Sequence, residues 1–257
     1  MVRLVSGVVL AAATIAAVLF LPLTALIGVA ALVAALAARE FLQISGVVAA
    51  RPQLTAMAMT VLLCLAVGAQ WTIRYELVLL AGLAWLAAEV LGAGSSIQHA
   101  AAGVMAPIYT GVPLAMLVVV HATHGWRATL MLIATVIVSD SSQYYAGRTF
   151  GRHPLAPAIS PKKTIEGAVG GLIAGTAFAG AAGRWLLPEA PIGGLLVLGV
   201  VIVVLGICGD LFESRLKRAA GMKDSAALIP GHGGVLDRID ALLFVAPAFY
   251  VYLEVLP

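Results

Sequence analysis

The chain has 257 residues, of which 62% are hydrophobic and 11% charged, and a formal net charge of +3. A soluble domain carries about 25% charged residues, so a water-soluble globular protein is excluded, and at so modest a charge no nucleic-acid partner is expected. Only helices or closed barrels satisfy their own backbone in lipid. Alternating strand patterns are absent, so the expected fold class is all-α, a polytopic integral membrane protein with about nine transmembrane helices.

In chain order the predicted spans are 4–20, 23–38, 55–71, 77–91, 101–121, 127–147, 165–187, 192–212 and 235–255. A crossing helix needs roughly 20 apolar residues, and the first two spans are short. The opening MVRLVSGVVLAAATIAAVLF has the shape of a signal peptide, one Arg followed by an apolar run. Further spans follow at once, so an uncleaved first helix is expected. Pro22 breaks the first long run, Arg51-Pro52-Gln53 precedes the third span, and Leu91 to His99 is a Gly/Ser-rich loop. Cys64 and Cys208 lie inside apolar runs and form neither a disulfide framework nor a Cys-x-x-Cys metal pair.

With nine spans, the N-terminus and the loops at 39–54, 92–100, 148–164 and 213–234 share one side. Of the fifteen Lys and Arg, only Arg74, Arg127 and Arg184 fall on the other side. The positive-inside rule therefore predicts a multi-pass protein of the cell membrane whose richest loops face the cytoplasm. The charged residues are also unevenly spread, eight before residue 129 and nineteen after it. This divides the chain into an N-terminal transmembrane scaffold, 1–125, and a C-terminal transmembrane catalytic region, 126–257.

Two spans carry acids where lipid disfavours them. Asp140 follows LMLIATVIVS, and a carboxylate at that depth costs about 2.5–3.5 kcal/mol on insertion scales. It is read either as an ion pair within the bundle, with Arg148, or as the wall of an active site. Asp210 closes the run LLVLGVVIVVLGICGD, with Glu213 and Ser214 on the same helix face. Asp237 and Asp240 open the last span. An antiparallel hairpin would bring Asp210 and Asp237 together, and clustered hard oxygen ligands suit Mg²⁺. The competing explanation is that these acids only balance Arg215, Lys217, Arg218 and Arg238 at the membrane rim.

Two loops have phosphate-binding character. In GRTFGRHPLAPAISPKKTIEG, Gly147 to Gly167, the cluster Ser160-Pro161-Lys162-Lys163-Thr164 precedes a helix start, where Lys163, Thr164 and backbone N–H groups could hold a phosphate. Lys163 could equally pair with Glu166. In Pro230-Gly231-His232-Gly233-Gly234 the glycines let the backbone approach a ligand closely. His232 could donate to a phosphate, carry a proton or cap the turn. No Gly-x-x-x-x-Gly-Lys-Ser/Thr occurs, so this is not a P-loop. Together the features point to phosphoryl or nucleotidyl transfer at the membrane surface, in which positioning and charge neutralisation dominate.

The run Ser214, Lys217, Arg218, Lys223, Asp224, Pro230, His232, Gly233, Gly234, Asp237, Arg238, Asp240 resembles the signature of the phosphatidate cytidylyltransferases at every signature position. SDSSQYYAGRTFGRHPLAPAISPKKTIEG is similar to the family's other block, through Asp140, Tyr144, Gly147, Gly151, Ser160, Pro161, Lys163 and Thr164. Gln143 departs from the pattern, where Ala is more usual. The resemblance covers 140–240 strongly, Pro107 to Ala115 weakly, and the first 100 residues in hydropathy alone. It implies that CTP and phosphatidate give CDP-diacylglycerol and pyrophosphate, in a homodimer embedded in the lipid bilayer. It also implies Mg²⁺ dependence, with Asp210 and Asp237 as the metal centre, room for a second cation, and Glu213 and Asp240 as further candidate ligands. Under it, Ser160, Lys163 and Thr164 position the phosphatidate headgroup. Ser214, Lys217, Arg218, Lys223, Asp224, His232, Gly233, Gly234 and Arg238 belong to the nucleotide side, and Asp140 orients a Lys or binds a metal-bound water. Another lipid phosphate as acceptor, isoprenoid or ether lipid, fits the same motifs. A membrane transporter would explain Asp140 but not the His-Gly-Gly loop, and the Asp-Gly-x-x-Ala-Arg string of the CDP-alcohol phosphotransferases is missing.

Overall fold

A computed structural model describes residues 2–71, 75–91, 96–223, 225–226 and 233–255. The chain forms two compact units, one of residues 1–119 with 219–238, the other of residues 120–218 with 239–257.

The first unit contains α1 (Val2–Phe20), α2 (Leu23–Ile44), α3 (Ala50–Gly68), α4 (Tyr75–Leu91), α5 (Ile97–Ala106) and a π turn (Pro107–Gly111). One face of α2 is nearly all small, with Ala31, Ala34, Ala35, Ala37 and Ala38 buried. Small residues let helix backbones approach where lipid offers no hydrophobic drive. Pro107 has no N–H to bond the carbonyl four residues back, and the backbone widens there into the π turn. The Thr110 hydroxyl donates to Ala106 O at 2.9 Å and lies 3.3 Å from Ala34 O, tying that turn to α2. The Phe41 and Tyr109 rings meet edge-on at 5.3 Å.

From α5 the helix runs through the π turn into α6 (Val112–Phe150), 54 residues in all. That is about 80 Å, well over twice the roughly 30 Å of a hydrocarbon core. The run is broken at Gly125 (φ 77°, ψ 179°), a conformation that disfavours any residue with a Cβ. Two spans were expected here, separated by residues 122–126; the separation is a single-residue break.

The rest of the second unit is β1 (Pro154–Ala156), β2 (Ser160–Thr164), α7 (Ile165–Leu186), α8 (Ile192–Ala219) and most of α9 (Leu236–Val255). The two strands pair antiparallel, Pro154 opposite Thr164 and Ala156 opposite Ser160. No strand was expected, because three prolines and a length of five residues or fewer conceal any alternation. α7 lies on α6 along Gly167, Gly171 and Gly175, where a Cβ would run into Gln143 or Ser139. α8 meets α7 at Gly199 beside Thr176, and meets α9 at Gly209 beside the Asp240 carbonyl.

The chain is thus an all-helical, multi-pass membrane protein with one small hairpin. Among the described residues, five helices are long and apolar enough to cross a bilayer: α2, α3, the 97–150 run, α7 and α8. Nine spans were expected, and these five are the ones that length and composition support. α9 carries Asp237, Arg238, Asp240 and Glu254. Two helices also outrun their predicted ends, α2 reaching Ile44 rather than residue 38 and α8 reaching Ala219 rather than 212.

Candidate active site

The two lysines of β2 differ in burial. Lys162 is exposed, while Lys163 turns inward and its ammonium pairs with the Asp210 carboxylate of α8. The Ser214 hydroxyl, one turn further along α8, donates to Asp210 Oδ1 at 3.3 Å. On α6, Gln143 Nε2 donates to Asp140 Oδ1 at 3.2 Å and to Ser139 Oγ at 3.1 Å. The residue that departs from the family pattern therefore holds Asp140 in place. Arg148 donates instead to the Tyr144 hydroxyl, 3.3 Å away. Asp140, Asp210 and Asp240 are close enough to repel one another, and both Asp140 and Asp240 feel the Lys163 charge. None is sealed off: Asp140 is exposed, and Asp210 and Asp240 are half-buried.

The hairpin that delivers Lys163 is anchored from α7. Glu166 accepts from the Arg152 and His153 amides at 3.1 and 3.2 Å and pairs with His153 Nδ1 at 2.6 Å. Lys163 is left to Asp210. Arg218 of α8 reaches across, its Nε 3.4 Å from Ile159 O at the hairpin turn. Ser160 opens β2 opposite Ala156. Thr164 is the N-cap of α7, its hydroxyl accepting from Gly167 N at 3.1 Å. Thr164→Val keeps the shape and removes the acceptor, at a cost of about 1 kcal/mol. Its unfolding midpoint in detergent is expected to fall by about 2–4 °C, whereas Thr164→Ser should match wild type.

Beyond Ser214 the cations divide. Lys217 is buried and bonds Glu213 Oε2 at 2.7 Å, an i,i+4 pair inside α8. Arg215, Arg218, Lys223 and Arg238 are exposed. Asp224, Pro230, Gly231 and His232 lie outside the described residues. Asp237, in the first turn of α9, accepts through Oδ2 from Gly234 N at 2.8 Å, Ser225 N at 3.0 Å and Ser225 Oγ at 2.9 Å. Gly233 has a positive φ of 78°.

The structure thus gathers Asp140, Lys163, Asp210 and Asp240 in the second unit, with Ser214 at their edge. Asp237 is held with Ser225, Gly233 and Gly234 in the first. Among the described residues, no three His, Cys, Asp or Glu side chains already surround one point as metal ligands. The donor set nonetheless fits Mg²⁺. Three carboxylates share a single ammonium, so the cluster offers more oxygen ligands than Lys163 can satisfy. That ion uses one or two carboxylates and fills the rest of its shell with water and phosphate oxygens.

A family profile decides the relationship: that of the Cytidylyltransferase family matches residues 1–256. The chain belongs to the Cytidylyltransferase family. It is 44% identical over 138 residues to a phosphatidate cytidylyltransferase of Haemophilus influenzae, covering 52% of this chain and 48% of that protein. It is 43% identical over 143 residues to one of Mycobacterium bovis, covering 56% and 46%. To one of Thermotoga maritima it is 36% identical over 163 residues, covering 59% and 58%. The matches span about half the length of these curated relatives.

One residue of this cytidylyltransferase-family chain escaped sequence reasoning. Glu40, on α2, is 1% exposed and accepts from Val235 N at 2.9 Å, Leu236 N at 2.8 Å and Ser225 Oγ at 2.7 Å. Residues 39–54 were expected to form a loop, where a Glu is unremarkable. With the helix running to Ile44, Glu40 becomes a carboxylate within an apolar span, which is itself a signal of function.

Proposed function

We propose that this chain transfers the cytidylyl group of CTP to phosphatidate, giving CDP-diacylglycerol and pyrophosphate. The observation that carries this reading is the accessible carboxylate cluster around Lys163, in a chain whose relatives are named phosphatidate cytidylyltransferase. A phosphate oxygen of phosphatidate attacks the α-phosphorus of CTP. The new P–O bond forms as the α–β bridging P–O bond breaks, and its electron pair leaves with pyrophosphate. The acceptor phosphate is largely a dianion near neutral pH, so no protein nucleophile is needed and little general-base help.

In this reading Mg²⁺ would be held by Asp210 with Asp140 or Asp240, and a second cation by the carboxylate that remains. When bound, it supplies positive charge against the α-phosphate and the leaving pyrophosphate. Ser214 orients Asp210, and Gln143 orients Asp140. Lys163 meets the acceptor phosphate, and Ser160 and Thr164 at the two ends of β2 are the further candidates for it. For the triphosphate, the candidate contact in the second unit is exposed Arg218, and those in the first are Gly233 and exposed Lys223, with the neighbouring His232 outside the described residues. Glu213 and Lys217 are buried against each other, so we assign them to the rigidity of α8. Asp237 is engaged by Ser225 and Gly234, and we assign it to the shape of its own loop.

We further propose nine crossings, counting both halves of the helix broken at Gly125 together with α1, α4 and α9. The Lys and Arg bias supports a site on the cytoplasmic face of the cell membrane, and the family resemblance supports a homodimer. The test is pyrophosphate release by the purified chain with CTP and Mg²⁺. Release is expected with phosphatidate, well above that with polyprenyl phosphate or with no acceptor. Acceptor-independent release would discard the reading, and a preference for polyprenyl phosphate would move it to another lipid phosphate.

A further inference from the structure

We propose that Glu40 is a positioning residue for the nucleotide-binding segment, holding Gly234 to Asp237 in the conformation that CTP requires. This rests on the function proposed above.

The first turn of a helix has N–H groups with no partner inside the helix, usually capped by a polar side chain immediately upstream. At the start of α9 the upstream residues are Gly234 and Val235, which have no such side chain. The cap comes from 195 residues away: Glu40 Oε1 takes the Val235 amide and Oε2 takes that of Leu236. The second cap oxygen also lies 2.7 Å from Ser225 Oγ, which is 2.9 Å from Asp237 Oδ2. The single Ser225 proton is therefore shared between two carboxylates. Asp237 takes the Gly234 amide from the other side. The short stretch from Gly234 to Asp237 is clamped between a carboxylate of its own and one from α2.

Gly234 has a second explanation in this arrangement. A Cβ there would collide with the Glu40 carboxylate and with Ser225 Oγ. The last glycine of the His-Gly-Gly run makes room for Glu40 as well as for a ligand. The two amides that Glu40 consumes are unavailable to a phosphate, and its charge would repel one placed directly on them. Its contribution is therefore to shape, and phosphate contacts fall to the residues before it and to the exposed cations.

The test uses the full chain in detergent with Mg²⁺, CTP and phosphatidate. Glu40→Gln keeps the volume but faces an amide N–H with its own NH₂. It should raise the KM for CTP about tenfold while leaving the KM for phosphatidate within twofold and the unfolding midpoint within a few degrees. Ser225→Ala, a milder loosening of the same clamp, should shift the CTP KM in the same direction. Gly234→Ala should show the larger defect, and shortening the opposing side chain in Gly234→Ala/Glu40→Asp should recover part of it. Wild-type turnover with an unchanged CTP KM in Glu40→Gln, or equal shifts in both KM values, overturns the inference and leaves the proposed function standing. A wild-type chain that shows no turnover of CTP overturns both.

Discussion

Asp210→Asn is expected to lower kcat at least 100-fold, about 2.7 kcal/mol of transition-state stabilisation, with the unfolding midpoint little changed. Asn keeps the volume and still accepts from Ser214. What it removes is the charge that pairs with Lys163 and the central member of the three mutually repelling carboxylates. Phosphoryl-type transfer relies on positioned charge more than on covalent help from the protein, so loss of charge at the cluster should act on kcat. Turnover should recover partly at raised Mg²⁺ if the deficit lies in cation affinity. Assay with labelled CTP over a Mg²⁺ series measures both. Near wild-type turnover at low Mg²⁺ would remove the cluster from the chemistry.

Gly209→Val should be nearly as damaging for a different reason. A Cβ at 209 would meet the Asp240 carbonyl, with Phe244 Cδ2 at 3.1 Å and Ala241 Cα at 3.2 Å. Two of these three are backbone atoms, which cannot swing aside, so α8 and α9 must separate between Asp210 and Asp240. Overpacking of this kind costs about 1–3 kcal/mol. A lower unfolding midpoint and at least a tenfold loss of kcat are expected. Gly206, one turn earlier, gives the control: its Cβ would find Ala241 Cβ at 3.7 Å and Val245 Cγ2 at 3.9 Å, ordinary contact distances. Gly206→Ala should therefore be tolerated. Equal damage at both positions would refute the claim that the Gly209 contact sets the cluster.

The carboxylates at 140 and 210 were legible because charge inside an apolar run is costly and so informative. Lys163 was legible as a site residue through its motif, but its pairing with Asp210 rather than Glu166 depends on packing. The extra length of α8 was masked by its charges, which look like loop. The buried Glu213–Lys217 pair shows the helix continuing through them, with four-residue spacing as its trace. The stripe of Gly167, Gly171 and Gly175 was present in the sequence, but what it meets on α6 depends on packing. Glu40 was the hardest to foresee. Its partners lie almost 200 positions away, and no local pattern encodes such a contact.

That separation has a consequence for biogenesis. Glu40 is made long before Val235 and Leu236, and at about 5–20 residues per second of synthesis the wait is about 10–40 s. During that interval α2 carries an acid whose acceptor capacity is unmet. Residues 235 and 236 bring the donors that end this imbalance, so the clamp cannot close before they are made. Truncated products that stop before residue 235 would leave that carboxylate unsatisfied, a defect that quality-control proteases could recognise.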